Sequence, residues 1–299
     1  MKKWLVGLWA LMMTTMSLAQ DKPAYAIFNG QGKPLKYKKV LRILEEGEVI
    51  CFGELHNNPI AHWLELEILR DLTEVKGAAQ MVVGAEMLET NQQEGLDQYL
   101  KGEVEKKVWT QSTDLWSNHD TDYQPVVDFC KQEGIPFIAT NIPRTYARKV
   151  SREGIASLDS LPDEEKALMV SLPFSIDFDL PSYAKMKEMM GGHAHGGMAE
   201  NFVSAQAIKD ATMADRILKN WKEGKVFYHM NGSYHSDDKE GILWYVAKGA
   251  PDATLKNISV VEQADISELS KEYLGKADIM IFRKPKICPP DQVLHDLFM

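Results

Sequence analysis

Two histidines occupy matching places in this chain. Gly53-Glu54-Leu55-His56 and Gly232-Ser233-Tyr234-His235 share the spacing Gly-x-x-His, and each follows an apolar run. The run Glu48-Val49-Ile50-Cys51-Phe52 leads into the first, and Val226-Phe227-Tyr228-His229-Met230-Asn231 leads into the second. Both runs read as buried strands. The two histidines then leave a sheet at one edge, the edge where open parallel sheets bind ligands. A third run, 80–85, ends in Glu86, and a fourth, 135–140, ends in Asn141 with Arg144 just beyond. Glu54 and His56 are two apart, so an extended backbone points them to the same side. Two imidazoles and two carboxylates, from Glu54, His56, Glu86 and His235, suit a divalent transition metal such as zinc, manganese or iron. Metal-bound water at such a centre would hydrolyse an ester or amide. The plainer alternative is that these groups close the loops at the sheet edge, His56 capping its own helix and Glu86 pairing with Arg144.

The elements that must position these residues follow from the pattern. Short β-rich runs alternate with segments of helical period, which predicts an α/β fold with a mostly parallel sheet flanked by helices. Residues 58–73 carry Ile60, Trp63, Leu64, Leu66, Ile68, Leu69 and Leu72, the buried stripe of a crossover helix. Residues 122–132, with Val126, Val127, Phe129 and Cys130, predict another. Beyond Arg144 strand signals stop until Lys225, and 201–221 read as one long helix. Gln206 and Asp210 share a face of that helix and either reach the rim or face solvent. The expected organisation is an α/β domain from 20–144 and 222–299, with 145–221 a smaller helical insert over the C-terminal edge of the strands.

Lys2 and Lys3, an apolar core over 4–16 and Ser17-Leu18-Ala19 have the layout of a secretory signal peptide, with cleavage expected after Ala19. An exported protein, periplasmic or secreted and soluble after cleavage, is the expectation. The net charge of -9 becomes two units more negative once Lys2 and Lys3 leave, and no basic run tracks a phosphate backbone, so nucleic acid is excluded as a partner. Three cysteines, Cys51, Cys130 and Cys288, allow at most one internal bridge. Cys51 and Cys130 fall on apolar segments and read as buried small hydrophobes.

The series Phe52-Gly53-Glu54-Leu55-His56-Asn57, Gly84-Ala85-Glu86-Met87, Tyr123-Gln124-Pro125, Thr140-Asn141-Ile142-Pro143-Arg144, Ala205 through Ala214 and Asn231-Gly232-Ser233-Tyr234-His235 resembles the ChaN-like haem-binding, iron-regulated proteins. These belong to a wider group with the Tiki metalloproteases and TraB-type proteins. The resemblance spans nearly the whole chain after the leader. It implies a parallel α/β domain with a smaller helical domain and haem binding in connection with iron acquisition. Haem would then be the ligand, with outer-membrane haem transport components as partners and room for a homodimer. Typical members are lipoproteins, and this chain lacks their acylated cysteine.

Haem needs an apolar slot, an axial donor and cations for its propionates. Tyr123, Tyr183, Tyr234, His193 and His195 are the candidate donors near the expected cleft, and Arg144 or Arg148 could meet propionates as a charged fork. The segment 186–198, with four methionines, two histidines and four glycines, reads either as a soft-donor lid or as a mobile surface loop. The leading expectation is an exported haem-binding protein. The alternative is a metal-dependent, Tiki-like hydrolase built on Glu54, His56, Glu86 and His235.

Overall fold

The computed structural model describes residues 23–190 and 197–284. The expected leader, 1–19, and His193, His195 and Cys288 lie outside the described residues. In chain order the elements are β1 (Tyr25–Asn29), α1 (Tyr37–Leu44), β2 (Val49–Glu54), α2 (Pro59–Lys76), β3 (Met81–Glu89), α3 (Gln93–Leu100), α4 (Lys106–Ser112) and α5 (Gln124–Glu133). They continue with β4 (Phe137–Asn141), α6 (Arg144–Glu153), α7 (Pro181–Met190), α8 (Met198–Asn220), β5 (Val226–Gly232), α9 (Ile242–Gly249), β6 (Leu255–Glu262) and β7 (Ile279–Arg283). The strands form one sheet in the order β1-β7-β6-β2-β5-β3-β4. All neighbours run parallel except β1, which is antiparallel to β7. The fold is therefore the mixed α/β architecture expected.

The strand pattern decides what covers each face. Ile50 and Phe52 of β2, Val83 and Ala85 of β3, and Tyr228 and Met230 of β5 share a core with Leu64, Ile68, Leu69 and Leu72 of α2. Val49, Cys51, Val82 and Phe227, the alternate residues, share a second core with Met213, Ala214 and Ile217 of α8 and Ile242, Leu243 and Val246 of α9. Each such aliphatic side chain contributes roughly 1.5–3 kcal/mol through burial. Alternation then puts Glu54 on the α2 face, in step with Ile50 and Phe52, and Glu86 on the α8 face, in step with Val82. The helices that follow the neighbouring strands β2 and β5 lie on opposite faces, which makes their C-terminal ends a topological switch point.

The described part of 145–221 is helical without a strand. It is tied into the sheet through α8, and its own core joins Ala147 and Val150 of α6 to Ala205 and Ile208 of α8. Asn58 starts α2: its side-chain oxygen accepts the backbone N–H groups of Ile60 and Ala61, and Pro59 occupies the first turn. The cap expected from His56 is thus supplied by Asn58, because His56 points elsewhere. At the outer edge of β4, Gln93 Nε2 donates to the Phe137 carbonyl at 3.0 Å and Gln93 Oε1 accepts the Ala139 N–H at 2.7 Å. Among the described residues no helix is long and apolar enough to cross a membrane.

Candidate functional site

Glu54, the last residue of β2, is fully buried and gathers three donors. His56 Nδ1 donates to its Oε1 at 2.6 Å, the Tyr123 hydroxyl donates to the same oxygen at 2.7 Å, and His62 Nδ1 stands 2.9 Å from Oε2. His62, one turn into α2, also lies 3.2 Å from Glu65 Oε2 and uses Nε2 to donate to the His56 carbonyl at 2.9 Å. Burial alone would raise the Glu54 carboxyl, but bonds from His56 and His62 bring it down to about 2. Burial would lower His62, yet Glu54 and Glu65 push it up to about 11. Glu65 is held well above the usual carboxylate range by burial and by the neighbouring Glu54 charge.

A second cluster stands on the other face. His235 Nε2 is 3.0 Å from Glu86 Oε1, and its Nδ1 bonds Asp210 of α8. Tyr183 of α7 donates its hydroxyl to Asp210 Oδ2 at 2.6 Å, and the backbone N–H of Gly232 donates to Glu86 Oε2 at 2.8 Å. Burial opposes charge on His235, but Glu86 and Asp210 raise it to about 10. Glu86 is held below the usual carboxylate range, since the His235 charge overcomes its burial. Burial raises Asp210, against the pull of His235.

The two clusters meet where β2 and β5 end side by side, with Glu54 opposite Gly232. A Cβ on Gly232 would lie 2.9 Å from His56 Nε2, and a Cβ on Gly53 would lie 2.9 Å from Ser233 Cα. Each glycine of the repeated Gly-x-x-His therefore clears space for the other segment. The Gly232 backbone itself, at φ -59° and ψ 141°, is one that any residue can adopt. The His56 ring reaches across the end of β5 and rests edge-on against Trp116 at 4.8 Å between centroids.

The structure brings the four predicted acid and imidazole residues to one rim as two pairs, Glu54 with His56 and Glu86 with His235. Among the described residues, the donor atoms close enough to hold one ion belong to Glu54, His62 and Glu65, all within 4.8 Å of one another. Sequence reasoning missed His62 and Glu65, although their i, i+3 spacing just after a strand end was a usable signal. Asp210, left undecided, is buried at the rim, and Gln206 Nε2 lies 2.9 Å from His235 Nδ1.

Glu86 does not pair with Arg144. Arg144 Nε donates instead to Glu89 Oε1 at 3.0 Å, because β3 runs on past Glu86 to Glu89 with Met87 and Leu88 buried. Tyr123 and Tyr183 are buried, and each spends its proton on a carboxylate; burial and those neighbouring charges raise both phenols far above their ordinary value. Tyr234 is 52% exposed on the same rim. Met189 and Met198 are exposed at either side of 191–196, which the described residues do not include. Cys51 and Cys130 are buried free thiols.

Residues 40–246 match the family described as haem-binding uptake, Tiki superfamily, ChaN. The chain belongs to this family. Protein RETICULATA-RELATED 5, chloroplastic, of Arabidopsis thaliana is 28% identical over 198 residues, which is 62% of this chain. The match covers 26% of that relative, so the chain spans about a quarter of its length. Among solved structures, ChaN of Campylobacter jejuni, for which cofacial haem binding is described, is 16% identical and shares the fold over 89% of this chain and 99% of its own, with a TM-score of 0.67. A succinoglycan biosynthesis protein is 10% identical, over 85% of this chain and 94% of its own, with a TM-score of 0.51. The matched span, 40–246, contains both Gly-x-x-His segments and Glu86.

Proposed function

We propose that this protein binds haem at the strand-end rim with Tyr234 as the axial donor, after export, in the service of iron acquisition. The observation that carries the reading is the difference between the three candidate tyrosines. An axial phenolate must be reachable and able to lose its proton. Tyr123 and Tyr183 are enclosed and bonded to Glu54 and Asp210, whereas Tyr234 is exposed. The rim tolerates a dianionic ligand because His56, His62 and His235 each face the carboxylates beside them. Trp116, half-buried beside His56, offers a flat apolar surface there. Arg144 and Arg148, both exposed at the start of α6, are the cations we assign to the propionates.

Iron is the chemistry haem supplies when bound; the chain supplies the phenol, the apolar wall and the compensating charges. Cofacial haem binding is described for the Campylobacter relative; with one Tyr234 per chain, a second haem stacked on the first would take its donor from a second copy of this chain. Haemin titration followed at the Soret band tests the proposal. Native protein is expected to saturate with a high-spin ferric spectrum, and Tyr234→Phe to lose at least about tenfold in affinity, roughly 1.4 kcal/mol. A saturable titration unchanged in Tyr234→Phe would reject Tyr234, and no saturation in native protein would reject haem. N-terminal mass spectrometry of exported protein tests the leader, with Gln20 as the expected first residue.

A further inference from the structure

Beneath the rim, between the end of β2 and the first turns of α2, lies a second set of groups, none of them a donor assigned to the haem iron. We propose that Glu54, His62 and Glu65 form a binding site for one divalent transition metal ion of the zinc, manganese or iron class. Only Glu54 is shared with the four residues singled out from the sequence.

Three observations carry this. The first is placement: one donor atom from each residue lies within 4.8 Å of the others, and all three residues are buried. His62 Nδ1 is 2.9 Å from Glu54 Oε2 and 3.2 Å from Glu65 Oε2. Donors bound to one ion at about 2.1 Å stand roughly 3–3.5 Å from each other, so little movement is required. The second is the tautomer. His62 donates through Nε2 to the His56 carbonyl, which leaves Nδ1 as the nitrogen facing the carboxylates. Ligating histidines are held in the same way, by a backbone carbonyl or carboxylate on the far nitrogen. The third is an unsatisfied oxygen: Glu65 Oε1 has no hydrogen-bond partner, although the side chain is fully buried. Buried carboxylate oxygens of this kind are rare unless something binds them.

The ion would take the place of the proton on Nδ1, with Glu65 able to bind through both oxygens. Glu54 Oε1 already accepts from Tyr123 and His56, which leaves Oε2 for the metal. Enclosure from solvent makes this a closed site that ties α2 to the end of β2, rather than one open to substrate.

The test uses full-length mature protein stripped with chelator and titrated with Co²⁺, read by visible absorption. One Co²⁺ per chain is expected, with binding weakened at least about tenfold in Glu65→Gln and retained in His235→Asn and Tyr234→Phe. Absence of a saturable Co²⁺ spectrum in native protein overturns the proposal. So does native-like binding by Glu65→Gln, or loss that follows His235→Asn instead. If Glu65→Gln fails to fold by circular dichroism, anomalous scattering from native crystals soaked in Co²⁺ decides. Density between Glu54, His62 and Glu65 supports the site, and density elsewhere or nowhere removes it.

Discussion

Replacing Gly232 with alanine probes the crossing of the two strand ends. The new Cβ would meet His56 Nε2 at 2.9 Å and Cε1 at 3.0 Å, with Glu86 Oε2 at an ordinary 3.6 Å. Ordinary carbon contacts begin near ~3.5 Å, so the ring must yield by roughly half an ångström. It is held on its other nitrogen by a 2.6 Å bond to buried Glu54 and edge-on by Trp116, which leaves it little freedom to turn. Overpacking of this kind costs about 1–3 kcal/mol. The backbone adds nothing, since the Gly232 dihedrals suit alanine. In a His56→Ala background the obstacle is gone, and Gly232→Ala is expected to be neutral or stabilising by about 0.4–1 kcal/mol through the unfolded chain. In urea denaturation of the native protein, both single variants and the double variant, the expected coupling is therefore the overpacking cost itself, about 1–3 kcal/mol. An equal effect in both backgrounds, that is a coupling below about 0.5 kcal/mol, would refute the claim that the glycine exists to admit the ring.

Tyr183→Phe removes a donor from fully buried Asp210 and is expected to cost about 1–3 kcal/mol in urea melts; a loss under about 0.5 kcal/mol would contradict the bond's role. Asn58→Ala should cost about 1 kcal/mol by removing the α2 cap, with Asn58→Asp retaining most of it, and an unaffected Asn58→Ala melt would count against that cap. His235, raised to about 10 in the fold from 6.5, contributes stability that is fully present below pH 6.5 and lost as pH rises through about 10. At most about 5 kcal/mol is at stake. Denaturation midpoints at pH 6, 8 and 10 should fall more steeply for native protein than for His235→Asn, and parallel slopes would show that the imidazolium does not hold the rim together.

Periodicity alone indicated the central strands and the long apolar faces of α2 and α8, because these are fixed by burial along the local chain. β1 went unread: Tyr25-Ala26-Ile27-Phe28-Asn29 is short, lies at a sheet edge, and pairs antiparallel with a strand some 250 residues later. Glu86 was placed at a strand end because a charge after an apolar run looks like a terminus. Met87 and Leu88 continue the strand, and a bulge against β4 adjusts the register beyond Ala85. The repeated Gly-x-x-His located the rim. What sequence could not convey is that strand parity sends Glu54 and Glu86 to opposite faces, so that each acid acquires its own partners. His62, Glu65 and Asp210 were hidden among the polar positions of helices, where solvent is the ordinary neighbour; only the sheet's three-dimensional edge makes them interior. Tyr123 and Tyr183 looked like ligands for the same reason, and it is their distant carboxylates that occupy them.

The Gln93 amide has a consequence for how copies of this protein can meet. Its two bonds to β4, to the Phe137 carbonyl and from the Ala139 N–H, are those that one residue of a further parallel strand opposite Ile138 would make. A side chain thus impersonates an eighth strand and removes the docking line that an incoming backbone would need. In the folded chain this closes the β4 border of the sheet to strand addition. An incoming strand could pair along β4 only after displacing the Gln93 amide from the Phe137 carbonyl and the Ala139 N–H.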